Sequence, residues 1–284
     1  MTSLSLDGIR RRLGDSMFSS VAGPEGPQRR DRLQRPGPRW FDDDRPIRRV
    51  HGDASMLIGG LRALLLQSLH PLAMAGVAQH SGFKGDPWGR VQRTSHFLAV
   101  TTFGTASDAE AMVRSIRGIH ERVRGTAPDG RRYAATDPHL LHWVHLAGLD
   151  SFLAAYQRFG GRPLDPDEQD GYVADTALVA RKLGVLDPPM TVGEMRDQLA
   201  DYRPELRSTP EARDTARFIL LSPPLPLVAR GPYGVLGAAA VSLLPAWARW
   251  PLRVPYLPVT EAVAVRAAGT VVTRTIRWAM APDQ

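Results

Sequence analysis

A chain of 284 residues, 43% hydrophobic and 23% charged, has the size and composition of one large or two small globular domains. It contains no cysteine, which excludes disulfides, thiolate nucleophiles, iron–sulfur clusters and cysteine-rich zinc sites, so any metal must be held by histidine or oxygen donors. The formal charge of +7 invites a nucleic-acid partner, but only Lys84 and Lys182 are lysines, the arginines are scattered among acids, and no RRM, zinc-finger or clear helix-turn-helix signature is present, so the expectation is no nucleic acid.

Residues 4–20 can form an amphipathic helix carrying Leu6, Ile9, Leu13 and Phe18 beside Arg10, Arg11 and Arg12. Such a helix docks on the domain's own core or makes peripheral contact with an anionic membrane surface. The arginines are followed by mixed polar sequence rather than an apolar core, so no secretory signal is read and the expected location is cytoplasmic. The nearest thing to a membrane span, Gly234 to Ala248, is short and broken by Pro245. Gly23 to Pro38 is rich in Pro, Gly and Arg and reads as an extended arm, of the kind that can wrap a second copy in a homo-oligomer. Residues 1–39 are therefore assigned to the N-terminal helix and arm, and 40–284 to a single helical domain.

The first strong helix is predicted from about Ala54 to Gln79, with Leu57, Leu61, Leu64, Leu65, Leu69 and Leu72 as its apolar surface. Gly59 and Gly60 allow close approach of another helix or a flat ligand. Pro71 removes a backbone donor and should kink this helix near His70, where the imidazole either caps the freed carbonyls or turns toward a cavity. A loop beginning at Gln79 and His80 leads to the next helix. There Arg90, Arg93, Thr94 and Phe97 fall at i, i+3, i+4 and i+7 and share one face, which suits a polar group entering an apolar pocket.

After a break at Thr102–Thr105, Ser107 and Glu110 have the spacing of a capping box that opens a further helix. Its apolar stripe is Met112, Ile116, Ile119 and Val123, and His120 lies inside that stripe. An inward imidazole on an aliphatic face is either a core histidine satisfied by a carbonyl or a ligand. Gly125 is expected to follow the end of this helix, and Pro128-Asp129-Gly130 forms a turn. Asp137 caps the next helix with Pro138 at its first position; it runs to Phe159 on a stripe of Leu141, Val144, His145, Gly148, Phe152, Ala155 and Phe159. His139, His142 and His145 could hold a metal with His120 or His70, but no HExxH or Glu-x-x-His pattern accompanies them, which disfavours a non-haem metal site.

Later helices are predicted over Asp165–Leu183, Val192–Leu206 (capped by Thr191 with Glu194), Thr209–Leu221, Gly234–Ala248 and Pro258–Trp278. No alternating run flanked by hairpin turns demands a sheet, so the fold class is all-α.

Three segments together resemble one oxygenase family: GGLRALLLQSLHP (Gly59 to Pro71), RVQRT (Arg90 to Thr94) and HERVRG (His120 to Gly125). That family contains the bacterial rubber oxygenase (latex clearing protein) and a fungal oxygenase of mycophenolic acid synthesis, and the resemblance covers roughly residues 50 to 250. It implies a globin-like helical core with additional N- and C-terminal helices, and haem b (iron) as cofactor. His120 would be the proximal iron ligand and Arg90 and Thr94 would lie on the distal side; read from their own positions, His145 would pack near that cofactor or orient its axial ligand, and His70 is a further candidate beside it. The rubber-cleaving member carries a distal lysine where this chain has Arg93, and a guanidinium keeps its proton, so Arg93 can donate hydrogen bonds but cannot ligate iron. Arg90, Arg93 and Thr94 are the candidate catalytic residues implied. The implied partners are dioxygen and an apolar, isoprenoid- or polyketide-like substrate attacked at a carbon–carbon double bond. The alternatives are a non-catalytic haem- or lipid-binding helical protein, and a helical interaction protein whose arginine face pairs with buried acids.

Overall fold

The computed structural model describes residues 26–80, 87–223 and 225–280, with residues 27–30, 87–91 and 228 described by their backbone alone. The amphipathic helix expected at 4–20 lies outside the described residues. Part of what reads as an extended arm is helical (α1, Gly26–Leu33). Then follow α2 (Pro46–His51), α3 (Met56–Gln67), α4 (Pro71–His80), α5 (Pro87–Phe103) and α6 (Ala106–His120). A small antiparallel hairpin comes next, β1 (Arg124–Thr126) with β2 (Arg132–Ala134), pairing Gly125 with Tyr133. The remainder is α7 (Pro138–Phe159), α8 (Pro166–Leu183), α9 (Val192–Tyr202) with a 3₁₀ turn Arg203–Glu205, α10 (Pro210–Leu221), α11 (Leu227–Ser242) and α12 (Ala246–Leu252). A turn at Pro258–Thr260 and a π-helical stretch Glu261–Val265 lead into α13 (Arg266–Met280).

The fold is all-α, and the hairpin is a departure from the expectation of no sheet. It packs on α4, where Tyr133 donates from its hydroxyl to Gln79 Oε1 at 2.6 Å. Gly125 belongs to this hairpin and not to a helix end; a Cβ there would lie 2.5 Å from the Tyr133 hydroxyl, so glycine is needed for the close approach. Pro71 does more than kink the first strong helix. It divides it into α3 and α4, which meet at 108° across the break that contains His70. Among the described residues no single helix is long and apolar enough to cross a membrane.

Helix α7 is the centre of the domain. Asp137 caps it by accepting from the His139 amide at 2.9 Å, and Pro138 takes its first position as the sequence predicts. Its buried face is wider than the predicted stripe: Trp143, Leu146, Ala147 and Ala155 are fully buried while Val144 is exposed, because α2, α3, α4, α8, α9 and α13 all pack around it. The principal partner is α3. Gly59 sits against α7 so closely that a Cβ would lie 2.8 Å from Phe152 Cδ1 and 3.1 Å from Phe152 Cα, whereas nothing lies within 4 Å of a Cβ on Gly60. One of the two glycines is therefore a packing requirement and the other is not.

The contrast can be measured. Gly59→Ala should lower unfolding stability by about 1–3 kcal/mol, because helix backbones must part to admit the methyl group. Gly60→Ala should raise it by roughly 0.5–1 kcal/mol through helix propensity. Equilibrium denaturation of both variants beside the wild type reads the sign directly.

Candidate functional site

Helix α6 presents His120 at its last position. Its N-cap is Thr105, whose hydroxyl accepts from the Asp108 amide at 3.2 Å, so the expected capping box at Ser107 and Glu110 is corrected by two residues. Glu110 instead forms an ion pair with Lys182 of α8. Ala109 and Val113 are buried and Ile116 and His120 half-buried; these lie at i, i+4, i+7 and i+11, a single inward face. The predicted stripe is thus rotated, and Ile119 is 42% exposed. His120 itself does face inward. Its Nδ1 is buried and has no hydrogen-bond partner, and burial holds the imidazole below its usual pKa, so it is neutral.

Helix α5 packs along α6. Arg90 belongs to α5, with its side chain outside the described residues. Arg93 and Thr94 are exposed and Phe97 is half-buried. At the far end of α5, Thr102 bonds His51 of α2 (Oγ1 to Nδ1, 2.8 Å), and the other ring nitrogen of His51 contacts the Tyr172 hydroxyl of α8 at 3.2 Å. Burial pushes the His51 pKa down to about 3. His51 is a structural histidine that nothing in its sequence neighbourhood marks out, since the partners come from 51 and 121 residues away.

The three histidines of α7 have three different fates. His142 contacts Gln198 Oε1 through Nε2 at 2.9 Å. His145 leaves its Nε2 buried and unpartnered, and burial, helped by the nearby His142, lowers its pKa to about 3. His139 pairs with Glu205 in the turn after α9, Nε2 lying 2.9 Å and 3.0 Å from the two carboxylate oxygens. His70, 1% exposed at the α3–α4 bend, joins this last group: its ring lies 6.1 Å from that of His139, 6.2 Å from Trp143 and 6.5 Å from Tyr202. Sequence reasoning missed Glu205 and Tyr202 because their partners on α7 are more than sixty residues away, and neither stands in a motif. His80 turns to the hairpin, its Nε2 contacting the Tyr133 hydroxyl at 3.1 Å, and not to the arginines of α5.

Buried polar atoms without partners are few in folded proteins, and each asks for an explanation. Among the described residues, the imidazole nitrogens in that condition are His70 Nε2, His120 Nδ1 and His145 Nε2. These are the three histidines placed beside a cofactor on sequence grounds. A neutral imidazole with a free lone pair is the protonation state that ligates a metal, so the donor chemistry at His120 and His145 fits an iron-bearing group. No cysteine competes for that role.

An all-α, cysteine-free domain with unsatisfied imidazoles at its core is the class that fold and site define. The family described as "ER-bound oxygenase mpaB/B'/Rubber oxygenase, catalytic domain" matches residues 48–278, and the chain belongs to it; it carries an oxygenase catalytic domain. Two mycobacterial proteins are similar at 34% identity over 98 residues: uncharacterized protein Mb2261 of Mycobacterium bovis and uncharacterized protein Rv2237 of Mycobacterium tuberculosis. The similar region covers 34% of this chain and 36% of each relative, so it spans about a third of their length. No solved structure matches.

The buried histidines set a pH dependence. His51 and His145 are neutral in the fold, with pKa values lowered to about 3, whereas in the unfolded chain they take up protons below about 6.5. Their stabilisation is complete above that value and is lost as pH falls toward 3. Cofactor-free protein should lose roughly 1–2 kcal/mol per histidine between pH 6.5 and 5. Thermal melts should show a shallower pH slope for His145→Leu than for the wild type; an unchanged slope would place His145 in contact with solvent.

Proposed function

We propose that this chain is a haem b-dependent oxygenase acting on an apolar, isoprenoid- or polyketide-like substrate at a carbon–carbon double bond. The observation that carries the reading is His120: the family motif HERVRG begins at an inward, neutral imidazole with a buried, unpartnered nitrogen. His120 would be the iron ligand, with His145 lining the same cofactor. Haem iron supplies the one-electron and dioxygen chemistry that no side chain of this chain can provide.

The protein's own contributions are binding, charge and proton placement. Arg93 keeps its proton at any working pH, so it offers fixed positive charge and N–H donors where negative charge develops on oxygen. Thr94, one residue on, adds a hydroxyl that can donate or accept. Both are exposed on α5 and can be reached by a substrate arriving from that side. Arg90 sits three and four residues before them on the same helical face.

The visible spectrum of protein produced with haem supplied, wild type beside His120→Ala, tests the cofactor and its ligand together. Near-stoichiometric haem with a Soret band is expected for the wild type, falling roughly tenfold or more in the variant. No band in either protein would overturn haem; a full band in His120→Ala would move the ligand to another histidine. Given haem, dioxygen uptake with apolar alkenes should fall in Arg93→Met, by less than the roughly 10²-fold of a donor in a water-excluded site, because Arg93 is exposed.

A further inference from the structure

His70, His139 and Glu205 come from three separate segments: the α3–α4 bend, the first turn of α7 and the 3₁₀ turn after α9. Their ligand atoms all lie within 4.8 Å of one another. We propose that this cluster is a second metal site, distinct from His120, which takes a divalent cation of the zinc class on two imidazole nitrogens and one carboxylate.

The donor set is two histidines and a glutamate, which matches zinc centres that keep a fourth position for water or a small ligand. The spacing matches as well. Donors about 2.0–2.1 Å from a tetrahedral cation stand roughly 3.3 Å from one another. Here Glu205 lies 2.9 Å and 3.0 Å from His139 Nε2, and its Oε2 is 3.5 Å from His70 Nε2. A cation can enter with shifts of a few tenths of an ångström on those two edges, while the His70–His139 edge, within 4.8 Å, closes toward it.

The surrounding groups orient the donors. Tyr202 donates from its hydroxyl to the His139 carbonyl oxygen at 2.8 Å. That one proton being used, the contact of 3.2 Å between the Tyr202 oxygen and His139 Nδ1 requires the proton on Nδ1. His139 Nε2 therefore aims a lone pair at a carboxylate unless a cation, a proton or a metal, stands between them. This is the outer-layer arrangement that fixes the tautomer of a metal-binding histidine. The tyrosine ring stacks on His139, with centroids 4.6 Å apart, which holds the imidazole plane. His70 supplies the independent sign of a missing ligand: it is 99% buried, and its Nε2 faces the cluster with no hydrogen bond. Coordination through Nε2 puts the His70 proton on Nδ1 and gives up only a 3.5 Å contact from the Ala73 amide. Arg131, whose charge reaches His70, is already paired with Asp129 at 2.8 Å.

The site opens outward, since the His139 and Glu205 side chains are 50% and 41% exposed. A metal can enter without disturbing the core. Once bound, it would tie the α3–α4 bend to α7 and to the turn after α9, a junction that the backbone already joins through the Arg207 amide donating to the Leu69 carbonyl at 2.8 Å. The inference does not depend on haem.

Calorimetric titration of the full-length protein with zinc chloride tests it, iron content being measured separately. One zinc per chain is expected in the wild type, with a rise in melting temperature. His139→Ala and Glu205→Gln should each weaken zinc binding by about tenfold or more and abolish the thermal shift. Because both side chains are about half exposed, these variants should keep the wild-type circular dichroism spectrum. His80→Ala, which removes an exposed histidine outside the cluster, should bind zinc as the wild type does. Absence of zinc binding in the wild type, equal binding in the two cluster variants, or equal loss in His80→Ala would overturn the proposal.

Discussion

The crossing of α3 over α7 is the constraint on which the rest of the molecule depends, and Arg62 is its centre. The side chain is 4% exposed, so its charge is carried into the interior and every donor must be met. Nε donates to the Leu243 carbonyl at 2.9 Å, Nη1 to Ser151 Oγ at 2.7 Å, and Nη2 pairs with Asp150 at 2.7 Å. One planar fork thus binds α3 to the middle of α7 and to Leu243, the residue that follows α11. A lysine ammonium also has three donors, but on one nitrogen, and could not span partners placed at Nε, Nη1 and Nη2. Gly59, three residues before Arg62 on the same face, is what lets the helices approach closely enough for the fork to reach. The motif GGLRALLLQSLHP is in this respect a packing device as much as a functional one.

How much of this was legible in the sequence follows the range of the interactions. Features set within a few residues were readable: the Asp137–Pro138 start of α7, the Thr209–Pro210 start of α10, the interruption at Pro71, and the inward direction of His120. Those set by distant partners were not. Ser107 and Glu110 have the spacing of a capping box, but Thr105 and Asp108 offer the same spacing two residues earlier and take the cap, while Glu110 pairs with the distant Lys182 of α8. Thr191 caps α9 as expected, yet the Glu194 carboxylate accepts from the Met190 amide at 2.7 Å. Short strands such as 124–126 carry too few residues to show alternation, so the hairpin was invisible. A single apolar stripe describes one packed face, whereas α7, central in the fold, is packed on several.

The histidines show the same division more sharply. Periodicity distinguishes inward from outward, and it placed His120 and His145 correctly as inward residues. It cannot tell a satisfied imidazole from an unsatisfied one, because that depends on what arrives from elsewhere in the chain. His51 meets Thr102 and Tyr172 and His142 meets Gln198, whereas His120 Nδ1 and His145 Nε2 have no hydrogen-bond partner among the described residues. A metal site on α7 looked poor from the sequence for want of a carboxylate on the same face. The carboxylate exists, but Glu205 brings it across from the end of α9.

The pair α5–α6, which carries Arg90, Arg93, Thr94 and His120, is attached to the domain differently from the other helices. Among the described residues, the hydrophobic core clusters draw on α2, α3, α4 and α7 through α12 and take nothing from α5 or α6. The pair is held at its edges by polar contacts: His51 to Thr102, Arg39 to the Phe103 carbonyl, the Ala106 amide to the Pro38 carbonyl at 2.7 Å, and Lys182 to Glu110. Arg48 adds a cation–π contact, 5.1 Å from the Phe103 ring centre. Contacts of this kind contribute less than apolar burial, and the buried apolar side chains on the pair among the described residues are small ones, Val100, Ala109 and Val113. A bound apolar cofactor would add most there, by extending the inward face that Ala109 and Val113 begin on α6. Among the described residues the clustered core thus lies around α7, and the proposed iron ligand with its unpartnered nitrogen stands on a helix outside it.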